Sequence, residues 1–287
     1  MTNSPARVSY QGEPGANSHI ATLEVYPECV PAGCPTFEDA LALVATGDAD
    51  LGMIAIENSV AGRVADIHHL LPDSGLFIVG EHFLRVHHQL MALPGVALPQ
   101  IAEVLSHVQA LGQCRQALRR LGLKAVVAAD TAGSARMIKE TGNRTQAAIA
   151  SELAAQIYGL DIIKRDIEDE QHNTTRFVVL ARAPVTHTAG SALAVTSLVF
   201  RVRNVPAALY KAMGGFATNG VNITKLESYQ LGGTFSATMF YADIEGHPAE
   251  RPVKLALEEL SFFSTEVRIL GTYAASPLRA GLGTAAE

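Results

Sequence analysis

KAVVAADTAGSARMIKETG, residues 124–142, runs from small and β-branched residues through a polar corner into a helical sequence. The corner is Asp130–Thr131, and side chains of this type commonly cap the first turn of a helix. The same order recurs on both sides, where AEVLSH leads into QALGQCRQALRRLG and QAAIA leads through Ser151 into ELAAQIYG. Strand, polar corner and helix repeated in this way are typical of an α/β fold with mostly parallel strands, which we predict from residue 7 to about 180.

Buried strands in this region are predicted to end in side chains that open helices. The four corners are Ser59, Ser106–His107, Asp130–Thr131 and Ser151. Each one alone is explained as a helix cap worth about 1 kcal/mol. The carboxyl ends of strands line the ligand crevice of an open α/β sheet, and helix N-termini attract anions there. The four corners together therefore predict a cleft for a small substrate that carries carboxylates.

Helix boundaries elsewhere follow from local signals. We predict that Ser18 caps the helix after the loop GEPGAN and that Gly47 ends the helix FEDALALVATG. Leu111, Cys114, Leu118 and Leu121 fall on one stripe, which predicts one continuous helix ending at Gly122.

The pattern changes after residue 183. Residues 184–194, rich in Pro, Gly, Ser, Thr and Ala and without a period, are predicted to form a linker. Strand and helix patterns then follow in the order βαββαβ over residues 195–275. This order predicts a ferredoxin-like domain with two helices on one face of an antiparallel sheet. Residues 276–287 are predicted to be a mobile tail.

Composition narrows the class of partner. Apolar residues make up 48% of the 287 residues and charged residues 17%, which predicts a compact protein rather than a disordered one. The net charge of −6, without a basic block, disfavours nucleic acid and anionic membranes as partners. The N-terminal sequence lacks a signal pattern and no apolar run reaches about 18 residues, so we expect a cytoplasmic protein.

Neither the cysteines nor the histidines predict a metal site. Cys29, Cys34 and Cys114 form no C-x-x-C pair, so reduced thiols are expected. The doublets His68–His69 and His87–His88 lack the i, i+4 spacing of a helical metal site. On a strand, adjacent side chains point to opposite faces and cannot share one ion.

Six segments, in order, carry a resemblance to a known family. They are YQGEPGANSHIA near the start, IENSVAGRV at 56–64, SHVQALGQC at 106–114, AAIASELAAQIYGL at 147–160, IEDEQHNTTRF at 167–177, and VNITKLESY at 221–229. Over nearly its whole length the chain resembles the prephenate dehydratases.

The resemblance implies a two-lobed α/β catalytic domain over residues 1–183, similar to the type II periplasmic-binding-protein architecture, with the active site between the lobes. The first lobe is expected to comprise about 7–85 and 171–183, and the second about 86–170. A regulatory ACT domain follows at 195–275. The implied reaction converts prephenate to phenylpyruvate with loss of carbon dioxide and water, and it needs no cofactor. Because the resemblance begins at the start of the chain, we expect a monofunctional enzyme.

The family's catalytic threonine matches Thr175. A hydroxyl can donate a hydrogen bond to the ring oxygen as it leaves, while accepting one from another group. Glu57, Asn58 and Gln113 are the other catalytic positions that the resemblance implies. Glu57 lies near a dianion, so it is expected to have a raised pKa or to orient a donor, with a loop-fixing salt bridge as the alternative.

Substrate contacts are expected mainly from polar residues. The predicted set is Ser59, Ser106, Thr131, Ser151, Arg176 and Phe177. Arg176 either binds a carboxylate directly or braces the cleft through Glu168 or Asp169. Val108 replaces the proline of the family's commoner S-H-P-Q motif. The replacement changes the local rigidity of the chain but keeps the polar side chains.

The resemblance also implies feedback inhibition by L-phenylalanine, bound between paired ACT domains of a homodimer or homotetramer. The corresponding positions are Ala207, Ala208, Leu209, Asn222, Glu227 and Ser228. The family's glycine is Ala207 here, and its Arg-Pro pair is Tyr229–Gln230. These departures predict an altered affinity or a different effector.

Two other functions remain compatible with these residues. Arogenate differs from prephenate only in carrying an amino-acid side chain in place of the keto acid, so arogenate dehydratase is one alternative. A non-catalytic amino-acid sensor is the other, although the intact N-T-T-R-F segment favours an enzyme.

Overall fold

The computed structural model describes residues 6–185, 193–203, 205–230 and 237–279. Two compact units are present. The first comprises the chain up to Ile67 together with His82–Phe177, and the second comprises His68–Glu81 together with the chain from Val178 onward. Mixed α/β structure confirms the predicted fold class. In the described ranges, no helix has the length and apolar character needed to cross a bilayer.

The first lobe alternates strands and helices. Its elements are β1 (Arg7–Gln11), α1 (Asn17–Val25), β2 (Val30–Cys34), α2 (Phe37–Thr46), β3 (Leu51–Asn58), β4 (Gly62–Arg63), α3 (Ala65–Leu70), a 3₁₀ turn (Leu71–Asp73) and β5 (Phe77–Arg85). The Thr36 hydroxyl caps α2 by accepting from the Asp39 N–H at 3.1 Å. Gly47, at φ +88°, ends α2 as predicted.

The second lobe continues the alternation. Its elements are β6 (Gln89–Ala92), a 3₁₀ turn (Leu98–Gln100), β7 (Glu103–His107), α4 (Val108–Gln113), α5 (Arg115–Leu121), β8 (Lys124–Ala128), α6 (Thr131–Thr141), β9 (Gln146–Ala150), α7 (Glu152–Tyr158) and β10 (Asp161–Lys164). Strand β11 (Thr174–Ala181) then returns to the sheet of the first lobe. Two connections, 86–88 and 165–173, therefore link the lobes, which confirms the two-lobed arrangement.

Sheet order explains why polar corners gather at one edge. The first sheet has the order β2-β1-β3-β11-β5, and the second has the order β10-β6-β9-β7-β8. Strand β7 pairs in parallel with both β8 and β9. Apolar side chains cover both faces of this second sheet, with Val104 and Ile149 on one side and Leu105 and Ala148 on the other. The carboxyl ends of its parallel strands consequently share one edge.

The remaining elements form the βαββαβ domain. They are β12 (Ala194–Val202), α8 (Ala208–Thr218), β13 (Ile223–Gln230), β14 (Ala237–Glu245), α9 (Arg251–Phe263) and β15 (Ser264–Ala274). The antiparallel order β13-β14-β12-β15 is that of a ferredoxin-like fold. Phe216 of α8 and Leu260 of α9 pack with Leu198 and Phe200 in one core, so both helices cover the same face, as predicted.

Polar side chains occupy the opposite face of this sheet. The buried Asp243 carboxylate accepts from the Tyr241 hydroxyl at 2.8 Å, and the Tyr241 ring lies 5.0 Å from that of His68. Arg279 donates to both carboxylate oxygens of Glu81, at 2.6 and 2.8 Å. The chain predicted as a mobile tail thus begins with an anchored segment, whereas 280–287 lie outside the described residues, as do 186–192 of the predicted linker.

Three local predictions are wrong. Ser18 does not cap α1, since its hydroxyl donates to the Gln11 carbonyl and the cap position is Ala16. Ser59 opens a turn into β4 rather than a helix. The predicted continuous helix is broken at Cys114, because the Asp169 carboxylate accepts from the Gln116 N–H and starts a new helix there.

Candidate active site

Two neighbouring strands of the first lobe bring the central residues together. Strand β3 ends at Asn58 and strand β11 begins at Thr174. The Ser59 N–H donates to the Thr174 carbonyl at 2.8 Å, and the Ser59 hydroxyl accepts from the Thr174 N–H at 2.9 Å. This pair of bonds fixes the register in which Asn58 faces Thr175.

The orientation of the Asn58 amide is fixed by backbone groups. Its Oδ1 accepts from the N–H groups of Val60 and Ala61 at 3.0 and 2.8 Å. Its Nδ2 must then point the other way, where it donates to Thr175 Oγ1 at 2.9 Å. Thr175 is half-buried, and within the described part of the chain its hydroxyl proton has no acceptor. The Thr175 hydroxyl is therefore set up to donate to a bound molecule.

Gln113 approaches the same group from the second lobe. Asn58 Nδ2 also donates to Asn173 Oδ1 at 2.8 Å, and Asn173 Nδ2 donates to Gln113 Oε1 at 2.9 Å. Gln113 Nε2 lies 3.5 Å from Asn58 Oδ1, which is a weak contact. We call Asn58, Asn173 and Gln113 the amide chain. It brings together three of the four predicted catalytic residues, Thr175, Asn58 and Gln113.

Glu57, the fourth, pairs with Arg176. Its Oε1 lies 2.9 Å from a terminal nitrogen of the guanidinium, whose side chain is only 3% exposed. The guanidinium carbon also lies 6.0 Å from the centre of the Phe83 ring. The salt bridge expected as the alternative role of Glu57 is therefore present. Its partner is Arg176, which pairs with Glu57 and not with the predicted Glu168 or Asp169.

The predicted partners Glu168 and Asp169 have other contacts. Glu168 accepts from the His88 N–H at 2.9 Å and lies 3.0 Å from His87 Nδ1. Asp169 accepts from Gln116, as described above. His87 Nδ1 also lies 3.2 Å from Asp166, so His87, Asp166 and Glu168 group three possible metal-ligating atoms. The same arrangement is also that of an ion pair between one imidazole and two carboxylates, so it does not by itself indicate a metal.

Several predicted substrate contacts lie in the protein interior. Ser106 is fully buried, and its hydroxyl donates to the Ile149 carbonyl across the sheet at 2.7 Å. Phe177 is also buried, at 1% exposure. Thr131 begins α6 and is half-buried, while Ser59 is exposed. Ser59 and Thr131 are therefore the members of this set that a ligand reaches without rearrangement.

Ser151 takes part in a contact between the lobes. Its hydroxyl caps α7 by accepting from the Ala154 N–H, and it donates to the carbonyl of Gly15 in the first lobe. Arg136 pairs with Glu13 at 3.2 Å, and the Tyr158 hydroxyl donates to the Pro14 carbonyl at 3.1 Å. The loop that follows β1 thus rests on α6 and α7 of the second lobe.

The predicted effector positions lie at the start of α8, on β13 and in the turn before β13. Ala207 has φ +63°, a left-handed conformation that favours glycine, at the position where the family has glycine. Ala208 is buried and Leu209 packs against the core of the domain. Asn222 donates to Glu245 at 3.0 Å, Glu227 lies 3.2 Å from Lys225 Nζ, and Ser228 is exposed.

Sequence reasoning missed Asn173 and His88. Asn173 is 1% exposed and His88 is 3% exposed, and His88 Nε2 lies 2.7 Å from Gln113 Oε1. The signal for Asn173 was its place in the N-T-T-R-F segment, two residues before Thr175. For His88 the signal was the His87–His88 pair. On an extended segment adjacent side chains point to opposite sides, so one of the two histidines could be expected to point inward.

Comparison with known proteins places the chain in one family. The family model described as prephenate dehydratase matches residues 8–185. A Komagataeibacter europaeus protein named bifunctional N-acyl-homoserine lactone acylase/prephenate dehydratase is 51% identical over 272 residues, covering 95% of this chain and 97% of its own length.

Plant and structural relatives agree with this match. An Arabidopsis thaliana protein named arogenate dehydratase/prephenate dehydratase 2, chloroplastic, is 40% identical over 279 residues, covering 94% of this chain and 73% of its own. The crystal structure of a prephenate dehydratase from Arthrobacter aurescens in complex with L-Phe has a TM-score of 0.85 at 29% identity, covering 97% of this chain and 96% of that one. The predicted resemblance is confirmed, and the chain belongs to the prephenate dehydratase family.

Proposed function

We propose that this protein is a prephenate dehydratase, with Thr175 as the group that assists departure of the ring hydroxyl. The electron pair of the bond to the ring carboxylate moves into the ring as carbon dioxide leaves. The bond from the ring to its hydroxyl oxygen breaks, and the ring becomes aromatic. The departing oxygen needs one proton to leave as water. The products are phenylpyruvate, carbon dioxide and water.

The observation that carries this proposal is the direction of the hydrogen bond at Thr175. Because Asn58 Nδ2 donates to Thr175 Oγ1 at 2.9 Å, the threonine keeps its own proton for another acceptor. A hydroxyl is a weak acid, so we assign it hydrogen-bond stabilisation of the leaving oxygen, with solvent as the final source of the proton. Gln113 and Asn58 hold this geometry, and Glu57 with Arg176 supports the adjoining strand.

Substrate binding is assigned to Ser59 beside Thr174 on the first lobe and to Thr131 at the start of α6 on the second lobe. Ser59 and Thr131 are proposed to contact the carboxylates directly. Ser106, Ser151, Arg176 and Phe177 are proposed to shape the pocket from behind, because the chain itself occupies or buries their side chains. No cofactor enters the proposed chemistry.

A product assay tests the proposal. Purified protein is incubated with prephenate or with arogenate, and phenylpyruvate and phenylalanine are followed separately, with Thr175→Val as the blank. Phenylpyruvate formed from prephenate by the native protein alone is the expected result. Phenylalanine formed only from arogenate would assign the alternative activity, which the Arabidopsis relative's name includes. Absence of both products would favour the sensor.

A second candidate activity comes from the Komagataeibacter relative, whose name includes an N-acyl-homoserine lactone acylase. At 51% identity over nearly both full lengths, the same activity is a candidate for this chain. Incubation with an N-acyl-homoserine lactone would release homoserine lactone and the free fatty acid. Thr175→Val in the same assay shows whether the two activities share a site.

Regulation is proposed through the βαββαβ domain, acting as an ACT domain with L-phenylalanine as effector. The Arthrobacter relative was crystallised with L-Phe. In this chain Ala207, at the position of the family's glycine, has a left-handed backbone conformation of the kind that glycine favours. Titration of activity with phenylalanine, tyrosine and tryptophan tests the choice of effector.

A homodimer or homotetramer joined through this domain is part of the proposal, and sedimentation with and without phenylalanine tests it. A cytoplasmic location completes it, consistent with three free cysteines.

A further inference from the structure

We infer that His88 and Asn173 are positioning residues that complete and hold the hydrogen-bonded chain leading to Thr175, an inference that rests on the proposed dehydratase function. Neither side chain reaches the surface, since His88 is 3% exposed and Asn173 is 1% exposed. Their effect is therefore exerted through Gln113 and Asn58, and not by contact with substrate.

The direction of the chain starts from backbone groups that cannot reverse. The N–H groups of Val60 and Ala61 both point at Asn58 Oδ1, so Asn58 Nδ2 is the donor to Asn173 Oδ1. With its oxygen used in this way, Asn173 presents Nδ2 to Gln113 Oε1. Each amide in the chain is thus oriented by the one before it.

The last step determines the proton on His88. Gln113 Oε1 is an acceptor, and His88 Nε2 lies 2.7 Å from it, so Nε2 must carry a hydrogen. Burial lowers the pKa of His88, although the hydrogen bond to Gln113 and the charge of Glu168 oppose this effect. The structure therefore assigns His88 as the neutral tautomer protonated at Nε2.

The backbone around His88 holds the ring in this position. Its N–H donates to a carboxylate oxygen of Glu168 at 2.9 Å, and its carbonyl accepts from the Ile167 N–H at 2.9 Å. These bonds join the two connections between the lobes, so the ring enters the amide chain from a fixed base.

Loss of the Nε2 proton would disturb the whole chain. Without it, one of the two donors to Gln113 Oε1 is missing and the amide is free to turn. A turned Gln113 places its NH₂ group against that of Asn173, and two facing donors repel each other. Relief by rotation of Asn173 then removes the acceptor that, together with Thr175, orients Asn58 Nδ2. The hydrogen bond to Thr175 is weakened, and kcat falls while KM stays near its native value.

Two substitutions at His88 separate donation from packing. His88→Gln keeps an N–H near the position of Nε2, whereas His88→Met fills similar space without a donor. We expect kcat for prephenate to fall about 10- to 100-fold in His88→Met, the effect of leaving a buried acceptor unsatisfied, and to recover in His88→Gln. KM should change less than about threefold in both. If His88→Met does not fold, Asn173→Asp replaces it, because the carboxylate accepts from Asn58 but cannot donate to Gln113.

A measurement on the native protein tests the tautomer without relying on activity. In ¹⁵N-histidine-labelled protein, the chemical shifts of the two ring nitrogens distinguish a protonated from a bare nitrogen, and His88→Gln identifies the signal. We expect protonated Nε2 and bare Nδ1 at pH 7.5, and the reverse would overturn the inference whether or not the protein is a dehydratase. Equal kcat values in the Gln and Met variants would also overturn it. A kcat lost in both variants, together with loss of a pH break, would instead make His88 an acid–base group.

Discussion

Gly15 provides a direct test of the contact between the two lobes. A methyl group added at Gly15 would lie 2.6 Å from the Cα of Ala154 and 2.8 Å from its Cβ, in a backbone with φ +90°. The matched control is Gly142, at φ +66°, where an added methyl group would meet no heavy atom of the described residues within 4 Å beyond the adjacent chain. Both alanine variants carry the backbone penalty of about 1–2 kcal/mol, and only Gly15→Ala adds overpacking of about 1–3 kcal/mol.

Thermal unfolding and steady-state kinetics measure the difference. At about 2–4 °C per kcal/mol, we expect Tm to fall by roughly 2–8 °C in Gly142→Ala and by roughly 4–20 °C in Gly15→Ala. If the lobes separate instead of straining, Tm will fall less but KM will rise, since the loop no longer rests on α7. Gly15→Ala matching Gly142→Ala in both Tm and KM would refute the packing of this loop on the second lobe.

Further predictions concern stability. Ala207→Gly should raise the free energy of unfolding by up to about 1 kcal/mol in chemical denaturation by relieving the left-handed alanine, and a lower value would contradict this. Arg279→Met should lower it by about 3 kcal/mol because buried Glu81 loses a bidentate partner, whereas Arg201→Met at an exposed pair should cost under about 1 kcal/mol; equal losses would contradict the anchor. Burial lowers the pKa of His88 in the folded state. As the pH falls below about 6.5, the unfolded state therefore binds a proton at this histidine before the folded state does, and the free energy of unfolding decreases. Between pH 6.5 and 5, His88→Gln should lose less of its free energy of unfolding than the native protein does, as measured by chemical denaturation at each pH. An equal pH dependence in the two proteins would contradict this.

Local signals in the sequence were sufficient for much of the fold. Gly47, Asp130 and Ser151 act at helix ends as predicted, because caps depend on residues within one turn. Ser18 and the break at Cys114 were not predictable in this way. Ser18 instead bonds the Gln11 carbonyl across the intervening loop, and the break at Cys114 depends on Asp169, which lies 53 residues from its partner Gln116.

The candidate site was predicted in part for the same reason. Thr175 and Asn58 were found through motifs, and the structure places them 2.9 Å apart. Ser106 was predicted as a substrate contact because it lies near a strand end. Its hydroxyl instead bonds the Ile149 carbonyl of the neighbouring strand β9, and the local sequence does not reveal that pairing. His88 and Asn173 join the site through side-chain bonds across 25 and 60 residues, and their positions in the sequence do not reveal these partners.

The central claim is that the hydroxyl of Thr175 assists the departing ring oxygen. Its most direct test compares kcat for prephenate in Thr175→Val, which keeps the shape without the hydroxyl, and in Thr175→Ser, which keeps the hydroxyl. We predict that the valine variant loses two to three orders of magnitude, about 3–4 kcal/mol, while the serine variant stays within about tenfold of the native value. Turnover by the valine variant at the native rate would contradict the account.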